Sequence, residues 1–161
     1  MLFELMLGAE PTPETRYWDL TQQLDGQIQL YYVKETDPSV NTPFFRCDPK
    51  TKVVTITMDT RVDFKRAKLP KTLSLKFKTL TQPTLMLSGQ TSKNTDEEQD
   101  TYTGTYDVSV RLASKSKELR DLLHVKGITL SAKGVPPQTW SLPDPKDKAD
   151  AFIHACEAGR L

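Results

Sequence analysis

Histidine, cysteine and glycine are scarce in these 161 residues, at two, two and seven. Each shortage closes a route. With only His124 and His154, and no HxxxH or CxxC spacing, no compact zinc or iron site can be read from the chain. There is no glycine-rich phosphate loop and no GxSxG elbow, so those two kinds of chemistry lack their carriers. No run approaches the roughly 18 apolar residues that span a bilayer. Charge of one sign is missing too. Lys+Arg 22 against Asp+Glu 21 leaves +1, without the basic excess of a dedicated nucleic-acid binder. The expectation is a chain that needs no metal and no cofactor, binds no specific nucleic acid and is not an enzyme.

What is present is alternation. Gln27–Val33, Phe44–Cys47, Lys52–Asp59, Lys71–Lys78, Thr84–Ser88, Tyr102–Leu112 and Val125–Ala132 read as strands, with apolar and polar residues taking turns. In Lys71–Lys78, Leu73, Leu75 and Phe77 point one way and Thr72, Ser74, Lys76 and Lys78 the other. In Tyr102–Leu112, Tyr102, Tyr106, Val108, Val110 and Leu112 share a face with Gly104. Runs that are half apolar and half wet belong to antiparallel sheets. Residues 10–26 read as a leading loop pinned by Tyr17-Trp18. Ser92–Asp100 reads as a solvated acidic loop holding Asp96, Glu97, Glu98 and Asp100, with a weak calcium site as the minor reading. Gly134-Val135-Pro136-Pro137 reads as a turn towards Trp140.

Two helices punctuate the strands. Ser114–His124 puts Leu119, Leu122 and Leu123 on one side. The last helix is signed by Asp144 as N-cap and Pro145 in the first turn, and Gly159 stops it. Its apolar stripe is Ala149, Phe152, Ile153 and Cys156, at i, i+3, i+4 and i+7. The sum is a mainly β fold: an antiparallel β-sandwich or partly closed barrel with a short helix and a docked C-terminal helix. Residues 17–161 form a single β-rich domain. Residues 1–16 precede it as an N-terminal segment, whose apolar Met1–Ala9 reads as a signal remnant or as a short ordered or frayed stretch.

Two features invite a functional reading. The first is Cys47, ending an aromatic stretch, with Cys156, on the apolar side of the last helix. They are either a disulfide or two unpaired residues packed as small hydrophobes. A bond would close a loop of about 110 residues, worth roughly 4–5 kcal/mol in the chain-entropy account, and would mark an oxidising compartment. The second is a basic stretch with few acids, from which Lys65, Arg66, Lys68 and Lys71 are nominated to contact a partner. Its plainer reading is the wet face and edge of a strand pair.

Several pieces together resemble the small periplasmic, secretion-associated proteins of the TagO/VasI kind and related proteobacterial proteins. They are an early Trp18, the strand Phe45-Arg46-Cys47 and the β-branched strand Val53–Met58. Ile128–Ala132 follows, then Leu142-Pro143 leading to a helix that ends Ala155-Cys156. The resemblance implies that Cys47 and Cys156 pair and that the body is a β-sandwich. It brings no catalytic residue. The functional expectation is a periplasmic or secreted, non-enzymatic accessory module that binds a protein or a cell-envelope component. Two rivals stand beside it. One is a β-barrel carrier for a small hydrophobic ligand, lined by Tyr102, Tyr106, Leu73 and Phe77. The other is a cytoplasmic, phage-type inhibitor or interaction protein with free thiols.

Overall fold

The computed structural model describes residues 16–34, 43–79, 84–94, 104–124, 127–141 and 147–161. Met1–Ala9, Asp96–Asp100, Tyr102, Asp144 and Pro145, all given readings above, lie outside them. The strands are β1 (Arg16–Gln22), β2 (Ile28–Lys34), β3 (Phe44–Asp48), β4 (Val53–Asp63), β5 (Thr72–Thr79), β6 (Leu85–Lys93), β7 (Thr105–Ala113), β8 (Gly127–Ala132) and β9 (Val135–Ser141). The helices are α1 (Lys117–Leu123) and α2 (Asp147–Ala158). The fold is mainly β. Among the described residues, these nine strands join one antiparallel sheet, in the order β1-β2-β3-β4-β7-β6-β5-β8-β9.

Alternation decides which face is buried. On β4, Val54, Ile56 and Met58 are buried between the half-exposed Thr55, Thr57 and Asp59. Leu73, Leu75 and Phe77 on β5 and Tyr106, Val108 and Val110 on β7 add to the same core. The sheet curls over this face without closing. Gln138 of β9 reaches across to β4, where its Nε2 donates to the Asp59 carbonyl at 2.9 Å. A single continuous sheet is nearer to a partly closed barrel than to a two-sheet sandwich.

Gly89 permits the tight packing in the middle of the curl. A Cβ there would stand 2.7 Å from both Leu75 Cδ1 and Val108 Cγ2. β4 carries its own bend, a register shift between Asp59 and Asp63 with Arg61 at φ 61°. Thr60 is buried in this bulge, its Oγ1 donating to the Tyr106 carbonyl (2.8 Å) and accepting from Val62 N (3.1 Å). Pairing resumes beyond the bulge, with Asp63 opposite Thr105 and Phe64 N donating to the Gly104 carbonyl.

The helices close the other parts. Ser116 caps α1, its Oγ accepting from Leu119 N at 3.2 Å, and the helix buries Leu119, Leu122 and Leu123. α2 lies on β1 and β2 and buries Ala149, Phe152, Ala155 and Cys156, with Ile153 partly covered. Phe152 meets the edge of Phe45 with centroids 6.4 Å apart, and Trp18 packs on Tyr32 and Phe45. Lys148 Nζ donates to the Trp18 carbonyl. Gly159 ends the helix at φ 86°.

Three sequence readings need correction. Much of the expected leading loop is β1, paired along its whole length with β2. Trp18 does pin this segment, and it does so as a strand residue. The expected proline turn is the start of β9. β9 lies at the sheet edge, where a missing N–H can face outward. The register against β8 also shifts between Leu130 and Ala132, which gives Pro136 and Pro137 room. Ser92 and Lys93, read as loop, extend β6.

Candidate functional site

At the end of the curl where β4 leaves and β5 enters, residues 64–71 cross the mouth of the sheet. Asp63 shapes the crossing. Its Oδ1 accepts from Lys65 N at 2.8 Å, and its carbonyl accepts from Arg66 N and Ala67 N. Further on, Thr91 holds the segment to β6: its N donates to the Lys71 carbonyl (2.9 Å) and its Oγ1 to the Pro70 carbonyl (2.7 Å).

Beneath the crossing lies a pocket of about 480 Å³. Its walls are Phe64, Leu69 and Tyr106, with Phe64 standing edge-on to Tyr106 at 5.9 Å. Lys68, Lys71 and Lys93 line it, and so do Thr91 and Ser92. Lys93 Nζ sits 5.3 Å from the centre of the Phe64 ring, a cation–π contact. Among the described residues, no carboxylate lines the pocket. Lys68 and Lys71 form no ion pair among those residues, and both are exposed.

Of the four nominated residues, the structure therefore brings Lys68 and Lys71 together at the pocket. Lys65 and Arg66 are exposed on the crossing beside it, and Arg66 Nε faces Asp63 at 3.7 Å. Sequence reasoning missed Lys93, Phe64 and Tyr106 as members of one site. They meet because Lys93 pairs with Tyr106 in the β6–β7 register and the β4 bulge delivers Phe64 above them.

Just behind the pocket, on the outer face, Asp107 stands opposite Asp59 across β4 and β7. Burial and the neighbouring Asp59 charge push its carboxyl up to about 6, against a side-chain hydrogen bond with Asn94 that pulls it down. Two carboxylates alone do not make a metal site. Among the described residues no three of His, Cys, Asp and Glu gather in a way that could hold a metal ion.

The sulfurs of Cys47 and Cys156 lie at disulfide bonding distance, with Cα atoms 5.8 Å apart, and both residues are fully buried. Nearby, Ser114 Oγ donates to Glu157 at 2.6 Å and Lys52 Nζ approaches the same carboxylate at 3.6 Å. The Ser114 hydrogen bond, more than the lysines, lowers the Glu157 carboxyl below its usual range. His124 and His154 are exposed, and His124 Nε2 lies 3.4 Å from Asp150. Trp140 is on β9 opposite Ile128. Leu73 and Phe77, named for a carrier cavity, are packed in the core, and Tyr106 faces the lysine pocket.

No helix among the described residues is long and apolar enough to cross a membrane. Comparison with family models, curated proteins and solved structures finds no match to this chain.

Proposed function

We propose that this protein is an exported, non-enzymatic binding module, and that it holds an anionic partner, a protein or a cell-envelope component, at the lysine pocket. The observation that carries the reading is the convergence of Lys68, Lys71 and Lys93 on one aromatic-walled concavity lined by no described acid. Three lysines with no ion pair among the described residues raise the local potential and favour an anion that can displace their water. Phe64 and Tyr106 offer apolar contact beside that charge, so the partner carries both a negative group and a hydrophobic or planar portion. The residues that would hold it are Lys68, Lys71 and Lys93 by charge, with Lys65 and Arg66 steering from the rim. Export is supported by the buried Cys47–Cys156 pair at bonding distance, an arrangement that persists in oxidising compartments. A place beside secretion-associated periplasmic proteins is part of this proposal and rests on the sequence resemblance.

The binding test uses the intact, oxidised chain against poly-L-glutamate and against vesicles containing an anionic phospholipid. Lys68→Glu with Lys71→Glu should abolish salt-sensitive binding to at least one probe and leave the melting temperature within about 2 °C, as surface changes do. Wild-type binding to neither probe, or binding that survives the double change, would remove the pocket from the account. Intact mass with and without reductant, on protein from its native compartment, tests the export reading. A chain isolated with both thiols free would contradict it.

A further inference from the structure

A second concavity lies on the other face of the sheet, near its opposite end. The pairing register lines up Gln29, Arg46, Thr55 and Arg111 on four neighbouring strands, β2, β3, β4 and β7. Arg46 and Arg111 thus flank Thr55 in one cross-strand row, two strand spacings apart, about 9–10 Å between backbones. All three line a groove of about 190 Å³ floored by Val53. Both arginines are exposed, and neither forms an ion pair among the described residues. Asp48 also borders the groove, but its Oδ1 accepts from Lys50 N at 3.0 Å in the β3–β4 turn.

We propose that this groove is a phosphate-binding site, with the phosphate held between the guanidinium groups of Arg46 and Arg111 over the Thr55 hydroxyl. Two like charges held over one small groove repel, and an anion placed between them turns that repulsion into two attractions. Guanidinium groups donate in a planar fork that matches an oxyanion bidentately. A carboxylate is flat, and one such fork uses both its oxygens. Donors arriving from two sides and from below are satisfied together by a tetrahedral group. This site is separate from the lysine pocket. Tyr106 and Arg111 are five residues apart on β7, about 17 Å along the strand, and an odd separation puts them on opposite faces.

The test is titration of the oxidised, isotope-labelled full chain with inorganic phosphate, followed residue by residue by NMR. Acetate at equal concentration is the flat comparison, and sodium chloride matches ionic strength. Saturable shifts are expected at the Arg46 and Arg111 Nε–H groups and at the Thr55 amide, with phosphate tighter than acetate. Arg46→Gln or Arg111→Gln should each weaken phosphate by about tenfold or more, the worth of a charge-assisted hydrogen bond. Lys68→Glu with Lys71→Glu should leave these shifts in place, so failure here is distinguishable from failure of the lysine pocket. A thermal melt gives a second reading. In phosphate-free buffer at low salt Arg46→Gln should melt higher than wild type, and phosphate should raise the wild-type melting temperature more than the variant's. Shifts that merely track ionic strength, acetate binding as tightly as phosphate, or affinity indifferent to both arginines would each overturn the proposal.

Discussion

The side-chain amide of Gln138 is held 2.9 Å from the backbone carbonyl of Asp59, joining the last strand to the fourth across a seam where the sheet does not close. Gln138 is buried, and its Oε1 has no hydrogen-bond partner among the described groups. Among the described residues, this amide hydrogen bond stands where a closed barrel would have a ladder. It meets β4 just before the bulge that leads towards the lysine pocket.

Gln138→Ala should accordingly do two things. It should cost about 1–3 kcal/mol in urea unfolding, because the Asp59 carbonyl loses its donor and a buried side chain is removed. It should also speed amide exchange at the end of β4 more than at β3. A uniform change across both strands would show that the seam is not held locally at this residue.

The Cys47–Cys156 pair makes a different prediction. The sequence separation is 109 residues, so the cross-link restricts the unfolded chain severely. Reduction, or Cys47→Ser with Cys156→Ser, should lower the unfolding free energy by about 3–5 kcal/mol. Far-UV circular dichroism of the folded state should hardly change, because Phe152, Ala155 and Ala149 still bury the helix face. Loss of less than about 1 kcal/mol would mean that the unfolded chain is already compact around this region.

Gly89 tests how closely the curled sheet is packed. A methyl group would meet Leu75 and Val108 side chains at 2.7 Å on two neighbouring strands. Gly89→Ala should destabilise by about 1–3 kcal/mol through overpacking, despite the better strand propensity of alanine. A neutral or stabilising result would show that Leu75 and Val108 can move aside.

Much of the fold was readable because strands such as β4, β5 and β7 alternate apolar and polar residues. Val54, Ile56 and Met58, or Leu73, Leu75 and Phe77, declare their face without help from the rest of the chain. β1 and β9 did not, for opposite reasons. Arg16–Gln22 has only Trp18 and Leu20 to mark its inner face, and it becomes a strand by pairing with β2. Val135–Ser141 carries two prolines that local rules assign to a turn, and only an edge position with a shifted register accommodates them. The lysine pocket was half legible for the same physical reason. Lys68 and Lys71 stand out as local charge density. Lys93 and Tyr106 become neighbours through strand pairing, and Phe64 through a bulge; neither leaves a periodic trace. The Arg46–Thr55–Arg111 row is still more hidden, since it exists only in the register of three strands.

The last prediction concerns pH. Asp107 is pushed up to about 6, first by burial and then by the charge of Asp59 directly opposite. Its ordinary value in the unfolded chain is 3.8. Between these values the folded protein keeps a proton that the unfolded chain has released, so folding is favoured on the acidic side. That contribution is complete below the unfolded value and is lost as pH rises through the folded one. Asp107→Asn removes the titration and keeps the shape. It should stabilise the protein by about 1 kcal/mol near neutral pH, a figure reduced because the side chain is only half-buried, and by almost nothing near pH 3. Urea unfolding of wild type and variant across this range measures the difference. A gain of the same size at both ends would place its origin in packing or hydrogen bonding, and the carboxylate pair would then have no part in the pH dependence.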